Sequence, residues 1–221
     1  MQIVVAGAHG QIARRLTRLL TARGDTVTGI VRNPDHSTDL EADGARPAVL
    51  DLEQATVDQV ADVVRGADAV VFAAGGGAGS GVARKDTVDR GAAVLLADAA
   101  EAARVRRYLL VSSIGADSVA DGATPDGMDE TFVAYLRAKL AAEQDVLPRP
   151  GLDATVLRPV TLTDDPGTGT VHIADHVDRG EVTRDDVAAV LVALLDHPRP
   201  GAVLELTGGT TPIAEAVTAA G

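Results

Sequence analysis

QIVVAGAHGQIA, residues 2–13, joins an apolar run to an amphipathic one through a glycine turn. Residues 2–6 are continuously apolar after Gln2, as expected of a strand covered on both faces. From Gln11 to about Arg23 the residues Ile12, Leu16, Leu19 and Leu20 recur at helical spacing, and Gly24 closes that helix. The turn between them reads GxxGxxA. Gly7 permits the tight turn, Gly10 lets another group approach the backbone, and the small Ala13 lets the helix sit close to the sheet. The first N–H groups of such a helix have no intrahelical partner and bind an anion, the arrangement that holds the pyrophosphate of a dinucleotide. Gly7, His9, Gly10, Gln11 and Ile12 are the candidate contacts.

Outward from this turn, strands are expected at 26–31, 47–50, 69–74, 107–112, 154–158 and 202–207. Helices are expected at 56–65, 87–103, 129–147 and 184–196. Thr183 caps the last of these, with Asp186 reaching back, and Pro212 opens a short terminal helix. Polar, Gly- and Pro-rich segments at 75–81, 114–128 and 164–170 read as loops. Strands and helices alternate throughout. The expected fold is therefore α/β, a single Rossmann-like, doubly wound parallel sheet with helices on both faces. Residues 1–221 form one domain, with a small substrate region at about 160–221.

Composition narrows the function classes. The chain has 221 residues, 46% of them hydrophobic but only 2% aromatic, so Ala, Val and Leu must fill the core. Cysteine is absent, which excludes disulfides, thiolate metal sites and a cysteine nucleophile. The net charge of −12 would repel a duplex, so no nucleic-acid partner is expected. No apolar run is long enough to cross a bilayer, and no basic leader precedes the first strand, so the expectation is a cytoplasmic protein with no membrane partner. His172 and His176 are four apart, but no third ligand is placed and the segment is not helical, so no metal site is expected.

The end of the second strand selects between dinucleotides. An acid there would bond the adenosine ribose, whereas an arginine accepts a 2′-phosphate. The residues are Val31-Arg32-Asn33, and Arg32 favours NADP(H) over NAD(H). After the third strand, Asp51 is placed to accept from the adenine amino group and Leu52 to pack on the ring, although an aspartate there also suits a helix entry.

With these residues in place, the chain resembles the atypical, epimerase-like branch of the short-chain dehydrogenases/reductases. The resemblance covers nearly the whole chain. It rests on GAHGQIA at 7–13, VRNP at 31–34, DL at 51–52, AAGGG at 73–77, VSSIGAD at 111–117, YLRAK at 135–139, LRP at 157–159, TRDDVA at 183–188 and TGGTTPI at 207–213. It implies that Ala73, Ala74 and Gly75 border the adenosine ribose and that Pro159 lies beside the nicotinamide. It also implies a Ser-Tyr-Lys set, here Ser113, Tyr135 and Lys139. Tyr135 and Lys139 are four apart and so share a helix face. An ammonium so close stabilises a phenolate, which suits a phenol to passing protons. The resemblance further implies that Lys139 reaches the ribose hydroxyls of the cofactor. The asparagine usual in the superfamily is replaced by Asp89, which bears on turnover rather than on cofactor binding.

Three functions are compatible with this pattern. One is an NADP-dependent oxidoreductase or epimerase acting on a small carbonyl or hydroxyl compound. Another is a regulator that binds the cofactor without turning it over. The last is a flavin- or biliverdin-type reductase that does not need Tyr-Lys chemistry. The alanine-rich helices suit either a monomer or a homodimer.

Overall fold

The computed structural model describes residues 1–77 and 81–220. Residues 78–80, within the glycine-rich loop expected at 75–81, lie outside them. The chain opens with β1 (Gln2–Ala6), α1 (Gln11–Ala22) and β2 (Thr26–Val31). A single 3₁₀ turn leads into α2 (Ser37–Ala42), and β3 (Arg46–Val49), α3 (Val57–Val64) and β4 (Ala69–Phe72) follow. One turn of α4 (Val82–Arg84) runs into a π-helical stretch, Lys85–Ala92, and then α5 (Ala93–Ala103). Next come β5 (Arg107–Val111), α6 (Glu130–Val146), β6 (Asp153–Pro159), β7 (Thr161–Thr163), β8 (Thr170–Ala174) and β9 (Glu181–Thr183). The chain ends with α7 (Arg184–Asp196), β10 (Val203–Gly208), β11 (Thr211–Pro212) and α8 (Ile213–Ala219).

The central sheet has the order β11-β8-β10-β6-β5-β4-β1-β2-β3. From β3 to β10 every neighbouring pair is parallel. Alternation along each strand shows why both faces need helices. In β1, Ile3 and Val5 join one apolar core with Leu16 and Leu20 of α1 and Leu191 of α7. Val4 and Ala6 join the other, with Val60 and Val64 of α3, Leu96 and Ala100 of α5, and Val146 of α6. The only fully buried aromatics among the described residues, Phe72 and Tyr108, lie on this second face. The Tyr108 hydroxyl donates to the Ala93 carbonyl at 2.9 Å, and burial pushes its pKa well up. Small alanines elsewhere let α3 and α5 approach closely, which is how a chain poor in aromatics fills its interior.

The strand order reverses between β1 and β4. Ala6 pairs with Phe72, so the loops after these two strands leave the sheet side by side. Ligands of open α/β sheets bind in this crevice, beyond the carboxyl ends of the strands.

The sheet is the expected Rossmann-like one, extended on one side by β8, which pairs antiparallel with β10 and with β11. The strand TVHIA, between β10 and the two-residue edge strand β11, alternates buried and exposed residues, and so lacks the continuous apolar run of the inner strands. Strands β7 and β9 form a small separate parallel pair. Helix α2 has no counterpart in the periodicity, since Leu40 is its one buried residue. The helix expected from residue 87 begins at Val82 and winds as π through its first turns, where a 3.6-residue period does not apply. Thr183 caps α7 as expected, by accepting from the Asp186 N–H. Asp186 itself accepts from the Thr183 hydroxyl and from the N–H groups of Thr168 and Gly169, and so ties the preceding loop to the helix.

No helix among the described residues is long and apolar enough to cross a membrane.

Candidate functional site

The glycine turn is built as tightly as its sequence demands. Gly7 has φ +75°, and a Cβ there would stand 2.5 Å from Ala74 Cα. Only glycine fits both the backbone and the gap. Gly10 is the N-cap of α1 and offers no side-chain acceptor, and no acidic residue lies in the first turn. The start of α1 is therefore open to an anion, with the macrodipole in support.

Two contiguous cavities flank this turn. The first, about 450 Å³, is lined by Gly7, His9 and Gly10, by Val31 and Arg32, by Asp51 and Leu52, and by Ala73 to Gly75. Val88 and Ala92 of the π-helical stretch add apolar wall. The second, about 320 Å³, shares Ala73, Ala74 and Gly75 with the first and adds Ile12, Asp89, Ser112, Ser113, Tyr135, Lys139, Pro159 and Val160. Of the residues singled out from the sequence, only Gln11 lines neither; its side-chain amide accepts from Arg15 at 3.0 Å. The residues present fit a dinucleotide. The Asp51-Leu52 end opens onto a glycine cradle that a Cβ at Gly7 would fill, and the far end is lined by Tyr135, Lys139 and Asp89.

At the far end, Lys139 is 3% exposed and Asp89 is fully buried. Lys139 Nζ lies 3.1 Å from Asp89 Oδ1, close enough for an ion pair but without the alignment of a hydrogen bond. It donates to the Val111 carbonyl at 3.0 Å and to Ala74 O at 3.4 Å. Asp89 Oδ2 accepts from the Gly76 N–H at 3.0 Å, which ties the π-helical stretch to the glycine loop. A Cβ on Gly75 would crowd Asp89 Oδ1 at 3.2 Å. Lys139 Nζ stands 5.7 Å from the centre of the half-buried Tyr135 ring.

The two serines diverge. The Ser112 hydroxyl donates to Glu143 through a very short hydrogen bond away from the cleft, whereas Ser113 has only a 3.2 Å contact to the carbonyl of Ile114. Ser113 is thus the serine less committed to the fold. Arg158 likewise turns away from its neighbour Pro159. Its guanidinium bonds Glu143 at 3.0 and 2.6 Å and stands 3.4 Å from Asp117 and 3.7 Å from Glu205. Burial alone would lower its pKa, but the Glu143 hydrogen bonds and the three carboxylates raise it. Asp117, His176 and Glu205 also bring ligand atoms within 4.8 Å of one another. The Arg158 guanidinium already stands beside the two carboxylates of that group.

At the adenosine end, Arg32 pairs with Glu53 at 3.1 Å. Glu53 also meets Arg84 at 3.2 Å and accepts from Thr87 at 2.7 Å. Sequence reasoning missed Glu53 and Arg84: one follows the Asp51-Leu52 pair directly, while the other lies on a segment read as loop. Asp51 Oδ1 accepts from the Glu53 N–H at 3.1 Å, so this residue also shapes its own turn. His9 bonds Asp39 at 2.7 Å and stacks on His36 with ring centres 3.6 Å apart. That hydrogen bond, followed by the charge of Arg14, holds the Asp39 carboxyl below the usual range.

A reversed parallel sheet with a glycine cradle at its switch point defines a dinucleotide-binding protein. Residues 7–198 match the NAD(P)H-binding family, and the chain belongs to that family. It is 35% identical to an uncharacterized sugar epimerase of Bacillus subtilis, YhfK, over 98% of this chain and 99% of that one. A Bacillus halodurans structure, provisionally described as an NAD-dependent epimerase/dehydratase, is 33% identical; it superposes with a TM-score of 0.87 over 99% of both chains. ChuY, an anaerobillin reductase from Escherichia coli O157:H7, is 25% identical with a TM-score of 0.79, over 94% of this chain and 97% of that one. The chain is thus an epimerase-like NAD(P)-binding protein whose cofactor is a nicotinamide dinucleotide.

Proposed function

We propose that the protein is an NADP-dependent oxidoreductase or epimerase-like enzyme acting on a small carbonyl or hydroxyl compound. The observation that carries this reading is the grouping of Tyr135, Lys139 and Asp89 where the second cavity meets the glycine cradle. The bound cofactor would supply or accept the hydride. Tyr135 passes a proton to or from the substrate oxygen, and Ser113 donates a hydrogen bond to the same oxygen. Lys139 holds the nicotinamide ribose and presents its charge to the phenol, while Asp89 and the carbonyls of Val111 and Ala74 fix the ammonium in place. Val160 and Leu162, from the region after residue 160, close the second cavity.

The preference for NADP(H) rests on Arg32 at the rim of the adenosine cavity. A 2′-phosphate would compete with Glu53 for its guanidinium. Arg32→Ala is expected to weaken NADPH binding by about ten- to a hundredfold, the range of a hydrogen bond to a charged group, and to leave NADH nearly unchanged. Titrations following nicotinamide fluorescence read both. Equal loss for the two cofactors would show that Arg32 serves the fold rather than the phosphate.

A second reading, cofactor binding without turnover, is favoured by the Asp89–Lys139 pair, which already engages the ammonium. The Tyr135 variant discussed below separates the two.

A further inference from the structure

The chain has only two lysines, and both flank one tyrosine. Lys139 lies beneath Tyr135, in the wall of the cleft. Lys85, on the π-helical stretch, places its Nζ 5.2 Å from the centre of the same ring. It also donates to the Gly77 carbonyl at 2.9 Å and lines the second cavity. Arg32 and Arg84 line the cleft but share Glu53, and Lys139 has Asp89. Among the described residues, Lys85 has no carboxylate partner, in a chain with 32 acidic residues and a net charge of −12. The nearby acids are taken: Asp89 by Lys139 and Gly76, and Asp86 by Arg90 at 2.6 Å.

The cavity also has apolar wall, from Ile12, Pro159, Val160 and Leu162. Phe132, 46% exposed, stacks on Tyr135 with ring centres 5.7 Å apart. Of the four Phe and Tyr residues of this chain, Tyr135 lines the second cavity and Phe132 stacks on its ring, while the other two are core.

We propose that Lys85 recognises an anionic group on the substrate, and that the substrate is an apolar, aromatic-sized carbonyl or hydroxyl compound bearing a carboxylate. This rests on the reading of the second cavity as the substrate site. The carboxylate meets the Lys85 ammonium, the apolar body lies among Ile12, Val160, Leu162 and Tyr135, and the reacting oxygen faces the Tyr135 hydroxyl. A cation in a partly desolvated cleft gains more from such a pair than it would on the open surface.

The test compares para-carboxybenzaldehyde with benzaldehyde as probes. Each is titrated by calorimetry into the NADP⁺-saturated protein, as wild type, Lys85→Gln and Lys85→Arg, and NADPH oxidation is followed in parallel. The carboxylate should bind about ten- to a hundredfold tighter than the neutral aldehyde to wild type. The difference should vanish in Lys85→Gln and survive in Lys85→Arg. Equal binding of the two probes, no binding of either, or a difference that persists in Lys85→Gln overturns the proposal. Failure of the enzymatic reading alone would appear as the same binding difference with no NADPH oxidation.

Discussion

Tyr135→Phe lowers kcat by about 100- to 10,000-fold, the contribution of a positioned proton donor, and leaves NADPH affinity within about twofold. The geometry makes this a clean substitution. The ring is half-buried, stacked on Phe132 and flanked by Lys139 and Lys85, and all of those contacts survive. Among the described residues, the hydroxyl has no hydrogen-bond partner in the protein, so removing it leaves no orphaned group. A loss of rate therefore reads as lost chemistry rather than lost fold, and thermal unfolding of the variant should match wild type. A flavin- or biliverdin-type reductase would be little affected, because its hydride acceptor takes its proton elsewhere. A regulator would show no turnover to lose and unchanged cofactor affinity.

Glu143→Ala should have the largest effect on stability. Glu143 is 2% exposed and accepts from Ser112 and from two nitrogens of Arg158. Removing it leaves a buried guanidinium short of its main partner and a buried hydroxyl without its acceptor. Breaking a buried pair in this way costs ~3–5 kcal/mol. The lower end applies here, because Asp117 and Glu205 remain 3.4 and 3.7 Å from Arg158. For a chain of this size that corresponds to a fall in Tm of roughly 6–12 °C. The triple variant Glu143→Leu, Arg158→Met, Glu205→Gln should recover most of the loss, since it leaves no buried charge without its partner. If the triple variant is as unstable as the single one, the cluster is not acting through its charges.

The order of elements was readable because the inner strands are buried on both faces and so carry unbroken apolar runs. Strand β8 and helix α2 escaped for the opposite reason: one is a strand with alternating exposure, the other a short helix with one buried residue. The glycine turn was legible because Gly7 answers a backbone constraint that no other residue meets. That Tyr135 and Lys139 stand together on one helix was legible from their spacing of four. The partner of Arg32 was not. Glu53 reaches it from the next strand's loop, and long-range ion pairs leave no periodic trace in a chain so rich in acids. Nor was the π-helical stretch, which brings Lys85 and Asp89 to the same cavity through a winding that composition does not announce.

A crystal structure of the complex with NADP⁺ tests the central claim most directly. The account predicts the pyrophosphate against the N–H groups at the start of α1, the adenine between Leu52 and Val88, and the 2′-phosphate on Arg32. It also predicts the nicotinamide beside Pro159, with its ribose on Lys139 and its reactive face toward Tyr135. A nicotinamide lying away from Tyr135, or a cleft empty at saturating NADP⁺, would contradict it.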